Sequence, residues 1–546
     1  MSRPVATSLT VLLIAVWSIT SSAALDAEQE EADRRIGTRA DRQALFDELI
    51  AKTLAREAFS EIKNRRLGLN VEAAMRATED DVVGAASESE LFYALVRLSN
   101  ARRDRHLRVR PVDGGLRIAD YDLAASTNYP GLDLEGSGPP TAPIRFAVDY
   151  GAAPRRHVLF VGDLGEGVER WAAEAPLAVG DVVVAIQGEP TPTFMARIEP
   201  YHRHSTVNGF WVKAAEALNR KTPILPPAFY GDDLALTLEK ASGRRYSVRL
   251  PYLPASAIAW QGHGVRSFPG FERIAEFGTF DLYRHTGGRD VLALAWRRFG
   301  GTLVEDIDAL IDLASERGWL DHDLIWDGTR SRGGGRGAYA LQRLSPRPFK
   351  TTFGNLRLSD TTLPFIELKR QQFEERQLSD GAPETIDDGT WLMGWLEGDV
   401  LKGLAAGQDY SNTVPFKTAH APAWSDGILE PAERHFRGRM ICLFGPYGGS
   451  HLDQFAAIVV DNGLCHTLGM PTGGYSNTWE WEEVVKFHDG QPVVEFMWSI
   501  GHTVRPNGEV LEGNPAEMDE HIPTTRENYL VYHDRLLSRA LLLLGD

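Results

Sequence analysis

Residues 440–460 read MICLFGPYGGSHLDQFAAIVV, and this stretch decides the fold. Five apolar residues, 440–444, predict a buried strand, a Gly-Gly turn follows, and residues 452–460 have the composition of a packed helix. A strand, a tight turn and a helix in that order form the repeating unit of an α/β sheet. Ser450 lies at the end of the turn, where it opens the helix.

The same alternation of strand and helix extends over residues 275–546. Residues 304–314 carry apolar side chains at helical spacing, which predicts an amphipathic helix. Further strands are predicted at 291–296, 324–327 and 463–468. Strands separated by helices indicate a sheet joined by right-handed crossovers. We therefore expect an α/β domain over 275–546, interrupted by a long, aromatic-rich insertion at 345–435.

Two further regions precede this domain. Residues 25–111 predict a helical N-terminal region, because apolar residues recur at helical spacing and glycine and proline are scarce. Residues 143–255 alternate short apolar runs with turns, which predicts a small β domain. A Gly-Asp-strand-Gly pattern at 180–188 resembles a PDZ domain, which would bind an extended peptide end as an added strand. Segment 201–230 does not fit that pattern and would be an insertion; a β domain without a ligand is the alternative.

Residues 1–24 have the features of a signal peptide. Arg3 gives a basic start, residues 5–19 are mostly apolar, and the small residues at 21–24 suit a signal peptidase. The apolar stretch is short for a membrane span, although an uncleaved anchor is the alternative. We expect an exported protein, periplasmic or extracellular, with no membrane association once the signal peptide is removed.

Composition excludes several other classes of protein. The chain has 75 acidic and 58 basic residues, a net charge of −17 that repels nucleic acid. The two cysteines, Cys442 and Cys465, are too few for a disulfide scaffold or a cysteine-based zinc site, and the sequence leaves open whether they are bridged. No metal-ligand cluster or nucleotide-binding loop is evident, so we expect chemistry without a cofactor or metal.

Two segments after predicted strands offer groups for nucleophilic catalysis. Ser450 begins a helix, where the helix dipole and the N–H group of His451 would stabilise a negative intermediate. The glycine-rich loop at 327–335 would bring further N–H groups close to a ligand. Each segment also has an ordinary explanation: Ser450 with Asp453 reads as a helix N-cap, and the loop as a flexible turn.

In their order along the chain, these motifs resemble those of the C-terminal-processing (tail-specific) peptidase family. The likeness is carried by residues 327–334, 450–453, 460–463, 469–474 and 512–515. The resemblance implies a helical N-terminal region, a PDZ-like domain and an α/β sandwich catalytic domain. It also implies a serine-type peptidase with Ser450 as nucleophile and with Gly334 and the His451 amide stabilising the oxyanion.

One departure from the family pattern bears on the catalytic base. The Ser-Lys branch has a lysine after the Gly-x-Pro-Thr-x-Gly turn, whereas this chain has Tyr475, and a tyrosine is a poor base at neutral pH. The tricorn-like branch uses a histidine instead, and its Asp-x-His segment matches residues 104–106. The resemblance to that branch therefore implies His106 as the base and Glu512 as its orienting acid.

Alternatives remain for each assignment. His106 also reads as one of 15 histidines at a basic helix end, and His451 and His466 are spare candidates for the base. The leading hypothesis is an exported serine endopeptidase that holds its polypeptide substrate by the C-terminus. The alternative is a catalytically inactive relative that binds an apolar ligand or a peptide. In either case the aromatic side chains of the insertion, Trp391, Trp395 and Phe416, would form a lid or an apolar pocket.

Overall fold

The computed structural model describes residues 35–118, 138–151, 157–172, 176–379, 383–416, 425–477 and 479–545. The predicted signal peptide, residues 1–24, lies outside the described residues. Within the described ranges, no helix combines the length and the apolar character needed to cross a membrane.

The secondary structure alternates as follows along the chain. The strands are β1 (Val109–Arg110), β2 (Ile144–Asp149), β3 (Val158–Leu164), β4 (Val182–Ile186), β5 (Glu189–Pro190), β6 (Asp233–Glu239), β7 (Arg245–Pro251), β8 (Phe271–Glu276), β9 (Phe280–His285), β10 (Val291–Trp296), β11 (Asp323–Asp327), β12 (Phe349–Lys350), β13 (Phe353–Leu356), β14 (Val414–Pro415), β15 (Ile428–Leu429), β16 (Met440–Phe444), β17 (His466–Gly469), β18 (Glu480–Lys486), β19 (Pro492–Ser499), β20 (Gly501–Val504) and β21 (Glu520–His521). The α-helices span Arg39–Arg56, Glu61–Leu67, Val71–Arg76, Glu79–Gly84, Glu88–Asn100, Thr191–Ile198, Val207–Ala217, Leu303–Arg317, Gly337–Leu344, Thr362–Ser379, Pro383–Trp395, Leu401–Ala405, His451–Asp461 and Tyr532–Gly545.

A seven-stranded sheet forms the centre of the predicted α/β domain. Its strand order is β21-β17-β16-β11-β10-β9-β8. The strands from β21 to β10 pair in parallel, and β9 and β8 add an antiparallel edge. The strand predicted at 291–296 is β10, whereas the one predicted at 463–468 begins three residues later, at His466. Because parallel strands end at the same edge, the loops after β11 and β16 meet there.

Helices cover both faces of this sheet, which explains why its central strands are apolar throughout. On one face, Leu292, Leu294 and Trp296 pack with the helices Leu303–Arg317, Gly337–Leu344 and His451–Asp461. On the other face, Val291 and Ala293 pack against the C-terminal helix Tyr532–Gly545. Successive residues of β10 thus alternate between two cores, as the geometry of a strand requires.

A separate antiparallel sheet lies in residues 144–251. Its order is β2-β3-β4-β6-β7, with β5 paired to β4. Strands β6 and β7 form an antiparallel hairpin in which buried residues alternate with half-buried or exposed ones. The helix Val207–Ala217 lies within the segment that fits the PDZ pattern poorly, and Phe210 and Ala214 of this helix join the core of the sheet.

The N-terminal helices share one hydrophobic core with parts of the chain that are distant in sequence. Phe46 and Leu95 from these helices pack in the same cluster as Leu396 of the insertion and Trp498 of β19. Strands β13 and β20 also pair with each other, which ties the insertion to the last third of the chain. The insertion at 345–435 is therefore built into the protein rather than attached to its surface.

The three aromatic residues singled out in the insertion belong to this core. The rings of Trp391 and Trp395 stack with centroids 5.9 Å apart, and Trp395 is buried. Phe416 is also buried and packs edge to face on Trp479. The expectation that these side chains form a lid or line an apolar pocket is wrong for Trp395 and Phe416, because both side chains are buried against other residues of the core.

The two cysteines lie together in the central sheet region. Both are free thiols, and their sulfur atoms are 2.7 Å apart. Cys442 is buried in β16 and Cys465 is half-buried just before β17. Burial raises the pKa of the Cys442 thiol well above its ordinary value, which keeps it in its neutral, unreactive form.

Candidate active site

Ser450 lies in a strained turn between β16 and the helix that follows. Its backbone has φ 61° and ψ −121°, a conformation that residues with a side chain rarely adopt. Its N–H group donates to the carbonyl oxygen of Tyr475 at 2.8 Å. The Ser450 hydroxyl makes no capping hydrogen bond to the helix. The N-cap interpretation is therefore wrong for this side chain, which is available for another partner.

That partner is His106. The Nε2 atom of His106 lies 3.3 Å from the Ser450 Oγ atom, although 344 residues separate them in sequence. The N–H group of His106 donates to Asp104 Oδ1 at 2.9 Å, which fixes the backbone that carries the ring. The imidazole also packs edge to face on Tyr475, with ring centroids 5.3 Å apart. The structure thus brings together two of the residues selected from the sequence, with Tyr475 packed against the imidazole.

Glu512 lies behind this pair and is completely buried. One nitrogen of His106 and one carboxylate oxygen each of Asp104 and Glu512 lie within 4.8 Å of one another. The Glu512 Oε2 atom accepts from the N–H group of Ser476 at 2.9 Å, whereas its Oε1 atom has no hydrogen-bond partner among the described residues. Glu512 is therefore close to His106 without a direct hydrogen bond to it.

Burial and a neighbouring acid decide the charge of Glu512. Burial raises the pKa of Glu512 well above its ordinary value, and the negative charge of Asp104 raises it further. The ammonium group of Lys63, 3.8 Å from Glu512 Oε1, offsets part of this effect. Burial thus disfavours the ionised form of Glu512, and the Asp104 carboxylate lies beside the same imidazole.

Several residues that support Glu512 and Asp104 gave no signal in the sequence. Lys63 is buried, and Ser60 donates its hydroxyl hydrogen to the Glu512 carbonyl oxygen at 2.9 Å. The side-chain amide of Asn477 donates to Asp104 Oδ2. Lys63 and Ser60 come from the N-terminal helices, more than 400 residues before Glu512, so no local motif could have identified them.

The loop after β11 borders Ser450 through Gly333 rather than Gly334. A Cβ atom on Gly333 would lie 2.8 Å from the Ser450 Cβ atom and 3.2 Å from the His451 backbone nitrogen. Gly334 instead packs against the Phe299 carbonyl and has φ 146°. Only glycine leaves room for this loop beside the nucleophile. The role of Gly334 as an oxyanion donor stays a prediction.

Asp327 anchors the start of the same loop. Its Oδ1 atom accepts from the N–H and hydroxyl groups of Thr329 at 2.9 and 2.6 Å, and its Oδ2 atom lies 2.9 Å from His533 Nε2. Burial alone would raise the pKa of Asp327, but His533 and the other hydrogen bonds outweigh burial and hold this pKa well below its ordinary value. An ionised Asp327 thus fixes the loop that reaches Ser450.

The imidazole of His451 points away from Ser450, and the role of its backbone N–H group as an oxyanion donor stays a prediction. Its Nε2 atom accepts from the N–H group of Gly337 at 2.7 Å, so the ring faces away from the cleft. Burial lowers the pKa of His451 to about 3, which leaves the ring neutral. The backbone N–H group of His451 belongs to the first turn of the helix, where such groups point toward anions.

His466 is also engaged with another residue, since its Nε2 atom pairs with Glu520 Oε1 at 3.1 Å. The two spare histidines are thus engaged elsewhere, and His106 is the one that faces Ser450.

Asp453 and Tyr475 connect the nucleophile to the Gly-x-Pro-Thr-x-Gly turn. The Asp453 carboxylate accepts from the Thr472 hydroxyl and from the N–H groups of Gly474 and Tyr475, the last two at 2.8 and 2.9 Å. Burial raises the pKa of Asp453 to about 7, and these hydrogen bonds limit the rise. Burial also raises the pKa of the Tyr475 hydroxyl, which excludes it as a base at neutral pH.

Ser450, His106 and Tyr475 line an open cleft of about 710 Å³. A volume of this size accommodates several residues of an extended chain or a small ligand. Of the side chains that the structure describes, Asp104, His106 and Glu512 form a group whose spacing would also suit a metal ion. The Nε2 atom of His106, however, faces Ser450 Oγ.

Comparison with known proteins gives matches in structure. No protein-family model matches the chain, and no curated protein matches it in sequence. Mature CPAF complexed with lactacystin is similar with a TM-score of 0.65 and 16% identity, over 93% of this chain and 99% of that one. Mature CPAF alone has a TM-score of 0.64 and 14% identity, over 92% of this chain and 96% of that one.

The photosystem II D1 C-terminal processing protease is a more remote match, with a TM-score of 0.38 and 12% identity over 88% of this chain and 93% of that one. The strong matches to CPAF extend over nearly the full length of both chains. The chain has the mixed α/β, multidomain fold of CPAF.

Proposed function

We propose that this protein is an exported serine endopeptidase in which Ser450 is the nucleophile and His106 the general base. The observation that carries the proposal is the 3.3 Å distance between Ser450 Oγ and His106 Nε2 in an open cleft. A serine hydroxyl is a weak nucleophile unless a base lies within hydrogen-bond reach. The strained backbone of Ser450 adds support, because residues in rare conformations cluster at active sites.

The reaction would proceed in two stages. Ser450 Oγ attacks the carbonyl carbon of the peptide bond while His106 takes the hydroxyl proton. The oxyanion that forms is stabilised by the backbone N–H group of His451 and by the glycine loop that includes Gly334. Collapse of the intermediate breaks the C–N bond, and His106 returns the proton to the leaving amine. Water then attacks the acyl-enzyme, with His106 again as base, and releases the new carboxylate.

The two carboxyl groups behind His106 would have different roles. Asp104 accepts from the backbone N–H group of His106, and its carboxylate, within 4.8 Å of a ring nitrogen, would stabilise the imidazolium form. Glu512, which burial keeps mostly neutral, fills the space beside the ring and limits how it turns. This division departs from the assignment of Glu512 as the orienting acid, and it follows from the surroundings of the two groups.

The β domain would hold the substrate. An antiparallel sheet with a packed helix is compatible with a PDZ-like domain, and such a domain binds an extended chain end by adding it as a strand. We propose that it captures the C-terminus of a polypeptide. Export would place the enzyme outside the cytoplasm, and N-terminal sequencing of protein from the exported fraction tests this, with a new terminus expected near Ala24 or Leu25.

A covalent probe tests the catalytic proposal. A fluorophosphonate should label the wild-type protein at Ser450, as peptide mapping would reveal, and should leave Ser450→Ala unlabelled. Lactacystin, which was bound in a structure of mature CPAF, serves as a second probe and should compete with labelling. Ser499→Ala, which removes a buried hydroxyl from β19, is the matched control and should be labelled normally. Absence of labelling together with binding of an apolar fluorescent ligand would favour the inactive, ligand-binding alternative.

A further inference from the structure

The cleft that contains Ser450 has a charge opposite to that of the whole protein. The chain carries a net charge of −17, yet six of the fourteen side chains around the cleft are cationic and only one is acidic, Glu216. The cations are Arg105, Arg108, Arg203, Lys213, Arg220 and Arg332. They come from three separate parts of the fold: the segment around His106, the segment at 201–230, and the glycine loop.

Three of these cations have no carboxylate partner among the described residues. Arg108 pairs with Glu482 at 2.5 Å, and Lys213 pairs with Glu216 at 2.7 Å. Arg105, Arg220 and Arg332, by contrast, make no ion pair with any acid in the part of the chain that the structure describes. Arg220 and Arg332 are also exposed, so their guanidinium groups are accessible from the cleft.

The position of Arg105 relates this charge directly to the nucleophile. Its guanidinium carbon lies 5.1 Å from the centre of the Tyr475 ring, and its Nη1 atom donates to the Arg203 carbonyl oxygen at 3.3 Å. Tyr475 in turn contacts His106. A cation is therefore held in place next to Tyr475, and Tyr475 is the side chain that contacts His106 of the catalytic pair.

The surroundings of Lys213 show that these charges act on one another. Burial lowers the pKa of Lys213, and the positive charges of Arg105 and Arg332 lower it further, against the opposite effect of Glu216. Like charges that are crowded in a partly enclosed cleft repel one another, and an anion that enters relieves this repulsion.

On the basis of the proposed peptidase function, we propose that this cleft selects polypeptide segments that carry carboxylates close to the scissile bond. Guanidinium groups bind carboxylates in a planar, two-pronged geometry, and Arg220 and Arg332 are the side chains free to do so. The carboxylates would come from Asp and Glu side chains of the substrate or from its C-terminus, which share the same chemistry. The same field would speed the encounter with acidic substrates at low salt.

Cleavage of matched peptides tests the proposal. A peptide library is first incubated with the wild-type protein and with Ser450→Ala, and mass spectrometry identifies the serine-dependent cleavages. The best substrate is then resynthesised with its Asp and Glu residues replaced by Asn and Gln, and separately with an amidated C-terminus. We expect kcat/KM to fall by about tenfold in at least one of these arms at low salt, and the difference to shrink at 0.5 M NaCl.

Substitutions in the cleft should remove this preference. Arg220→Gln combined with Arg332→Gln should bring the ratio of kcat/KM for the acidic and neutral peptides close to one. The matched control combines Arg39→Gln and Arg317→Gln, two exposed arginines on helices that do not line the cleft, and should retain the ratio. Binding of the same peptides to Ser450→Ala, measured by fluorescence anisotropy, gives a readout that does not depend on turnover.

The outcomes separate this inference from the proposed function. A loss confined to the Asn and Gln peptide identifies side-chain carboxylates as the recognised group, and a loss confined to the amidated peptide identifies the C-terminus. Serine-dependent cleavage with equal rates for all three peptides overturns the charge preference and leaves the peptidase intact. Failure of any cleavage and of Ser450 labelling overturns the proposed function, in which case the anisotropy measurement alone decides whether the cleft prefers acidic peptides.

Discussion

His106 Nε2 lies 3.3 Å from Ser450 Oγ, and the two residues belong to different ends of the chain. The N-terminal helices pack in one core with β19, and this long-range packing fixes the backbone at residues 104–106 opposite the turn at Ser450. Because tertiary structure brings His106 to Ser450, the position of His106 depends on the whole fold.

Removal of either member of this pair should abolish most peptidase activity. We expect Ser450→Ala and His106→Ala each to lower kcat by about 10⁴-fold or more, and the double variant to lose no more than either single one, since the two residues act as a unit. Single-turnover rates on a cleaved peptide from the library provide the measurement. Full activity of His106→Ala would contradict the mechanism, even though the geometry is favourable.

The two carboxyl groups beside His106 should differ in importance. Asp104→Asn removes the negative charge next to the imidazole, so we expect a larger loss of kcat than for Glu512→Gln, which replaces a mostly neutral group by a neutral amide. Both losses should be smaller than that of His106→Ala. If Glu512→Gln were as damaging as His106→Ala, Glu512 would be the charged partner and the assignment from burial would be wrong.

Tyr475 should act through packing and not through its hydroxyl. Tyr475→Phe retains the ring that contacts His106 and should keep most of the activity. Tyr475→Ala removes that contact and should lower kcat by roughly 10- to 100-fold, because a displaced base loses its alignment with the nucleophile. Steady-state kinetics on one peptide compare the two variants. A loss for Tyr475→Phe comparable to that for Ser450→Ala would contradict His106 as the base.

The sequence predicted those parts of the molecule whose structure is determined by residues close together in the chain. An apolar run identified β10 at its observed limits, and the Gly-Gly-Ser turn singled out Ser450, which lies beside His106 in the structure, because both features depend on neighbouring residues. The Asp-x-His segment pointed to His106 through its order relative to other motifs.

Contacts between distant segments could not be predicted in the same way. Lys63 lies behind Glu512 only because helices near the N-terminus pack on the last third of the chain, and nothing around Lys63 in the sequence indicates an active site. Which of Gly333 and Gly334 borders Ser450 could not be predicted for a related reason: adjacent glycines look alike in sequence, and only the loop conformation brings Gly333 next to Ser450. The aromatic residues of the insertion were expected to form a lid or a pocket, because the sequence around them does not show that helices more than 250 residues earlier bury them.

The neutral form of Glu512 should appear in the pH dependence of stability. A carboxyl group whose pKa is raised on folding binds a proton that the unfolded chain has released, so its stabilising contribution is complete below its ordinary pKa of 4.5 and declines as pH rises. The melting temperature of the wild-type protein relative to Glu512→Gln should therefore fall between pH 5 and pH 8. Glu517→Gln, an exposed acid in the same loop, controls for loss of one carboxylate. A melting temperature of the wild-type protein that rises relative to that of Glu512→Gln as pH rises would contradict the direction of the pKa shift.

The conformation of Ser450 yields a prediction that is independent of catalysis. At φ 61° and ψ −121° a Cβ atom is strained, whereas glycine adopts this conformation freely. Ser450→Gly and Ser450→Ala both lack the nucleophile, yet Ser450→Gly should be the more stable of the two by about 1 kcal/mol or more. Ser315, an exposed residue within the helix Leu303–Arg317, is the matched control, and there glycine should be the less stable replacement by about 1 kcal/mol. Chemical denaturation of the four variants measures these differences. Opposite signs at the two positions would support a strained turn that presents the serine side chain to His106, while an alanine at position 450 as stable as glycine would mean that the turn carries no strain.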